Sequence, residues 1–102
     1  MTSSTDMTTI TLTPIATHGP ELVGRAPGAR LREEAVGLAA TARVVIDLAG
    51  IEAMSPSFAD EIFGKLTADL IRDRRIRFAN ASDEIRALAR GVRGNRARLV
   101  PA

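Results

Sequence analysis

The stretch "RVVIDLAGIEAMSPSFADEIFGKL", residues 43–66, decides how this chain folds. It opens as a short apolar run, 43–50, rich in β-branched residues and closed by Gly50. That is the pattern of a central strand buried on both faces. A corner, Ser55-Pro56-Ser57, comes next. Beyond it Phe58, Ile62, Leu66 and Leu70 recur at helical spacing, filled in by Ala59, Phe63 and Ile71, and predict an amphipathic helix over about 57–73. A buried strand that turns into a helix is the building block of an α/β layer.

The same alternation continues outward. "RIRFAN" (75–80) reads as a strand with Ile76 and Phe78 on one face. "SDEIRALARGV" (82–92) reads as a helix capped by Ser82, with Asp83 and Glu84 where the helix dipole favours anions. The tail "RGNRARLVPA" either extends that helix or frays. Upstream, "ARLREEAVGLAATA" (29–42) sets Leu31, Ala35, Leu38 and Ala39 on one helical face, and "TTITLTPI" (8–15) alternates as a strand ended by Pro14. Between them, residues 16–30 are rich in Gly and Pro and predict an irregular connection with a short hairpin return around "ELVG". Residues 1–7 are small and polar and predict a disordered terminus; 8–98 form one domain and 99–102 a tail. The expected architecture is an α/β sandwich, a mostly parallel or mixed sheet of about four strands with three helices.

Composition removes many functions. At 102 residues there is room for one small domain. Three Phe and no Tyr or Trp leave an aliphatic core. The absence of Cys excludes disulfides, thiolate metal sites and cysteine nucleophiles, and the single histidine, His18, argues against hydrolase triads and His-based metal sites. His18 sits in the Gly/Pro connection and reads as an exposed loop residue. No apolar run approaches the ~20 residues that span a bilayer, and the first residues do not resemble a secretory signal, so a cytoplasmic location without stable membrane insertion is expected. Charge is uneven: residues 1–61 carry 4 bases against 8 acids, and 62–102 carry 10 against 4. The arginines are interleaved with carboxylates and lack aromatic partners that would stack on bases, so nucleic acid is not the expected partner.

The corner at 55–61 admits three readings. In the structural one, Ser55 is the N-cap with Pro56 at the first helical position, or Ser57 is the N-cap with Asp60 three residues on. Asp60 and Glu61 then favour the dipole, and Glu61 is placed to pair with Lys65 at i+4. A catalytic reading needs Asp47, Asp60 and Glu61 to converge. Adjacent helical carboxylates diverge by roughly 100°, and there is no phosphate loop or histidine partner. No catalytic residue, metal ligand or cofactor is therefore expected, and Asp47 is expected to cap a following turn or the next helix through backbone N–H groups. In the third reading the corner is an exposed docking surface made by Ser55, Ser57, Asp60 and Glu61, its serines available for phosphate. Charge reversal at Asp60 and Glu61 is then expected to remove binding without unfolding the chain.

"VVIDLAGIEAMSPSFADEIFGKL", together with the later strand and "NASDEIRALA", resembles the STAS-like family, related to the STAS domains of anti-sigma factor antagonists. The likeness runs from about residue 28 to 92 and is most specific at Phe58-Ala59-Asp60-Glu61. It implies a small STAS-like sandwich that binds a protein, a histidine-kinase-like ATPase or anti-sigma factor, through the helix beginning near residue 57. Homodimerisation is compatible with it. A second implication is an accessory subunit of a membrane transport complex. Antagonists of that family carry Asp-Ser-Ser-Gly at this helix start, the first serine being phosphorylated. In this chain those positions hold Ser55, Pro56, Ser57 and Phe58, so the acceptor position has no hydroxyl and Ser57 or Ser55 is the candidate acceptor.

Overall fold

The computed structural model describes residues 8–66, 70 and 73–99, with side chains described as far as residue 94. The expected disorder of residues 1–7 and the end of the tail lie outside the described residues. The α/β class is as the sequence predicts. Three strands, β1 (Thr9–Leu12), β3 (Arg43–Asp47) and β5 (Ile76–Ala79), form a parallel sheet in the order β1-β3-β5. Both crossovers step the same way across the sheet, so right-handed connections put their helices on one face. Those helices are α2 (Arg25–Ala39) and α3 (Pro56–Ala59), the latter running on into a π-helical turn at Asp60–Gly64. The last helix, α4 (Asp83–Leu99), packs beside that turn.

The single helical layer corrects one expectation. β3 was expected to be buried on both sides, but only Val44 and Ile46 are buried. Register sets them beside Ile10 and Leu12 of β1 and Ile76 and Phe78 of β5. The opposite face presents Thr9, Thr11, Arg43 and Arg77 to solvent, with Val45 half-buried among them. An apolar run therefore marked a two-layer sheet here, because Val45 is tolerated at a face that its neighbours keep polar.

The Gly/Pro connection also holds more structure than its composition suggests. Pro14 opens a short helix, α1 (Pro14–His18), at the position where a missing N–H costs nothing. His18 ends it, exposed as expected, its ring nearly perpendicular to that of Phe58 with the ring centroids 6.1 Å apart. The segment read as a hairpin return contains β2 (Glu21–Leu22), which pairs in parallel with the unanticipated β4 (Ala53–Met54). Ser55 N–H donates to Leu22 C=O at 2.8 Å, and Glu52 N–H to Pro20 C=O at 2.8 Å. This small parallel ribbon brings the starts of α2 and α3 side by side.

Gly28 lets those helices touch. A Cβ on it would stand 3.1 Å from Phe58 Cα and 3.0 Å from Glu61 Cβ. Glycine costs helix stability, roughly 0.5–1 kcal/mol relative to Ala, and here the close crossing supplies the reason for it. The core runs from this crossing to the sheet: Leu31, Ala35, Phe58, Ile62, Val44, Ile46 and Ile76 belong to one cluster. As the sequence predicts, Ser82 caps the last helix, accepting from Ile85 N–H at 3.2 Å. No helix among the described residues is long and apolar enough to cross a membrane.

Candidate functional site

The corner between β4 and α3 is built on one hydroxyl. Ser55, with extended backbone, is the N-cap, so the first of the two capping alternatives is the one adopted. Its Oγ accepts from Phe58 N–H at 3.2 Å and from Gly24 N–H at 3.0 Å, tying the start of α3 to the start of α2. Ser57 Oγ lies 3.2 Å from Ser55 Oγ. Both serines are half-buried.

Below the cap the helix widens. Lys65 N–H donates to Asp60 C=O at 2.9 Å, a span of five residues. Such π turns are rare and occur frequently at functional sites. This one turns Glu61, Ile62 and Phe63 inward in succession. Ile62 joins the core, Phe63 faces Phe78 with ring centroids 4.6 Å apart, and Glu61 faces α2.

Glu61 corrects the expectation of an exposed docking residue. Its side chain is 1 % exposed, and three cations converge on it. Arg25 Nη1 and Lys65 Nζ each donate to Oε2 at 2.7 Å, while Arg32 Nη2 and Nε donate to Oε1 at 3.1 and 3.3 Å. Burial alone would push this carboxyl up. The hydrogen bonds from Lys65, Arg25 and Arg32 outweigh it and hold the carboxyl down at about 2, so Glu61 is an anion at any physiological pH. The Lys65 pairing is the one contact of the three that the i+4 spacing predicted. Arg25 and Arg32 lie 36 and 29 residues away in the chain and carry no local signal.

Asp60 stands at the rim, its side chain 19 % exposed, and Arg25 Nη1 reaches its Oδ2 at 3.0 Å. The two adjacent carboxylates do diverge in their surroundings, one inside and one at the edge, but a single guanidinium spans both. Arg25 and Lys65 remain 53 % and 35 % exposed, so the surface over the corner shows cation tips, Asp60 and Ser57. Asp47 lies elsewhere, at the end of β3. It accepts from Asn80 Nδ2 at 2.9 Å and from Ala49 N–H at 3.0 Å, which hold its carboxyl below the usual range. It caps the turn, the first of the two expected roles, and through Asn80 it also fastens the end of β5, which the sequence did not indicate. Among the described residues, no group of three His, Asp or Glu is gathered as a metal site.

No curated protein and no solved structure gives a significant match to the chain. A family model does: the family described as a STAS-like domain of unknown function (DUF4325) matches residues 28–86. The matched span runs from Gly28, at the helix crossing, through the capped corner, the π turn and β5 into α4. It includes Glu61, Arg32 and Lys65 and stops short of Arg25. The chain thus belongs to the STAS-like family.

Proposed function

We propose that this protein is a non-enzymatic, cytoplasmic regulatory module that docks a histidine-kinase-like ATPase or an anti-sigma factor through the corner at the start of α3. One observation carries the reading: the buried Glu61 anion anchors Arg25, Arg32 and Lys65 and so fixes the surface above it. Preordered side chains lose little entropy when a partner covers them, which suits docking. The same satisfied cluster suits turnover poorly, because Glu61 is enclosed and too acidic to act as a base near neutral pH.

Within this reading Asp60, Ser57, Arg25 and Lys65 form the contact surface, and Glu61 acts through the cations it holds. Ser57 is the better phosphate acceptor of the two serines. Ser55 Oγ already accepts two backbone N–H groups, and modifying it would break the junction of α2 and α3. A phosphate on Ser57 would add almost two negative charges beside Asp60.

The test is affinity capture from the native cell, with and without ATP, using wild type, Asp60→Lys and Ser57→Asp. Substitutions at the rim are expected to change stability by within about 1 kcal/mol. Wild type should retain an ATPase of the stated class. Asp60→Lys should release it with its unfolding midpoint nearly unchanged, and Ser57→Asp should weaken it. Retention of the same partner by Asp60→Lys would place the interface elsewhere.

A further inference from the structure

A second surface lies beside α4. Between α4, the π turn and the end of β5 runs an open groove of about 340 Å³. Its apolar lining includes Ala81, Ala89 and the paired rings of Phe63 and Phe78, whose centroids are 4.6 Å apart. Arg86, Arg90 and Arg93, spaced i, i+4 and i+7, line it from one face of α4. They are the charged residues of the lining, and all three are exposed. Asp47, fastened to Asn80 and to Ala49 N–H, does not line it.

These arginines are placed against the grain of the helix. Like charges at i and i+4, as at Arg86 and Arg90, disfavour a helix. Neither meets a carboxylate among the described residues, whereas Arg25, also exposed, pairs with Asp60 and Glu61. Arg93 is held in place, its guanidinium 5.8 Å from the centre of the Phe63 ring and its Nε donating to Phe63 C=O at 3.4 Å. Its two terminal nitrogens make no hydrogen bond among the described residues. Phe63, Phe78 and Ala81 fall inside the span shared with the family, while Arg90 and Arg93 lie beyond its end at residue 86. Most of the charge is therefore set outside the shared span.

We propose that this groove binds a small organic phosphate monoester, a dianionic head carrying one apolar ring. Guanidinium forks match phosphate oxygens in pairs. Three unneutralised cations on one wall favour a dianion over a single carboxylate, and a bound anion relieves their mutual repulsion. The apolar lining calls for a body as well as a head. An enclosed apolar cavity of ~150 Å³ takes up benzene, so an open groove of about 340 Å³ has room for a ring with its phosphate. The position fits too. Asn80 and Ala81 directly follow β5, which puts the groove at the carboxyl end of the parallel sheet, where α/β folds hold their ligands. Nucleic acid fits less well: Phe63 is buried beneath Arg93, leaving no free ring face there to stack a base.

The experiment titrates the full chain with phenyl phosphate at low salt, followed by calorimetry and by backbone amide signals in NMR spectra. Binding is expected with a Kd below about 1 mM, the moving signals clustering in residues 78–93. Inorganic phosphate, which lacks the ring, and phenol, which lacks the charge, should each bind at least about tenfold more weakly. Arg86→Gln with Arg90→Gln should weaken phenyl phosphate by at least about tenfold, with thermal stability equal to wild type or higher. Arg43→Gln with Arg77→Gln removes the same charge from the open face of the sheet and should change binding by less than about twofold. Inorganic phosphate binding as tightly as phenyl phosphate, or equal weakening by both double variants, would reduce the effect to unspecific attraction of anions and overturn the proposal. Tighter binding of a phosphotyrosyl peptide than of phenyl phosphate would give the groove to a protein partner and overturn it as well.

Discussion

Glu61→Lys should unfold the domain, or leave it with a small fraction of its stability at neutral pH. The substitution puts a fourth cation into a site where Arg25, Arg32 and Lys65 already converge on a side chain that is 1 % exposed. Removing one partner of a buried ion pair typically costs about 3–5 kcal/mol, and reversing its sign costs more. Small domains have roughly 5–15 kcal/mol in all. Glu61→Gln is the gentler probe. It keeps the shape, and the partly exposed cations can turn toward water, so a loss of about 3 kcal/mol is expected. Chemical denaturation of the two variants beside wild type reads the difference directly. Asp60→Lys, at the rim, serves as the control that should remain folded.

The same carboxyl makes stability fall in acid. Its folded value is held at about 2 against an ordinary 4.5, so the folded state binds the proton more weakly than the unfolded chain does. The contribution is complete above pH 4.5 and is lost as pH falls from there toward 2. A displacement of that size corresponds to roughly 3 kcal/mol. Wild type should lose most of this relative to Glu61→Gln between pH 6 and pH 2.5, the variant showing a flatter profile. Parallel profiles would mean that Glu61 contributes no net electrostatic stability.

Phe58→Ala should be the most damaging change among the apolar residues. Phe58 is fully buried where α2 crosses α3, with Gly28 against its backbone and the His18 ring edge-on to its own. Truncating a buried Phe costs about 3–5 kcal/mol, because the cavity refills only in part. For a domain of this size each kcal/mol lowers the melting temperature by about 4–8 °C. A fall of more than about 10 °C is therefore expected, visible by circular dichroism or calorimetry. Phe58→Leu, which conserves most of the volume, should lose less than about 1.5 kcal/mol. An unchanged melting temperature for Phe58→Ala would mean that the ring is not enclosed as described.

Much of this molecule is written in local periodicity. The strand at 43–47, the strand at 76–79, the helix after Ser82 and the apolar stripe Phe58, Ile62, Leu66 were all legible, because each is set by neighbours within one or two turns. The Asp47 turn and the Glu61–Lys65 pair were legible for the same reason, and the cap was narrowed to Ser55 or Ser57, of which the structure uses Ser55. What the sequence left open depends on partners distant in the chain. Two-residue strands such as β2 and β4 have no period to read, and only their pairing with each other defines them. The π turn changes which residues face inward, and an even helical count assigns Glu61 to the surface. Its burial follows from α2 crossing at Gly28 and delivering Arg25 and Arg32. A lone carboxylate could not be buried there; three cations brought from 4 to 36 residues away make it an anchor. Sequence alone determined the longer elements and the chemistry at each position, whereas tertiary structure decided the short parallel ribbon, the π turn and which charges meet, since these depend on how the helices cross.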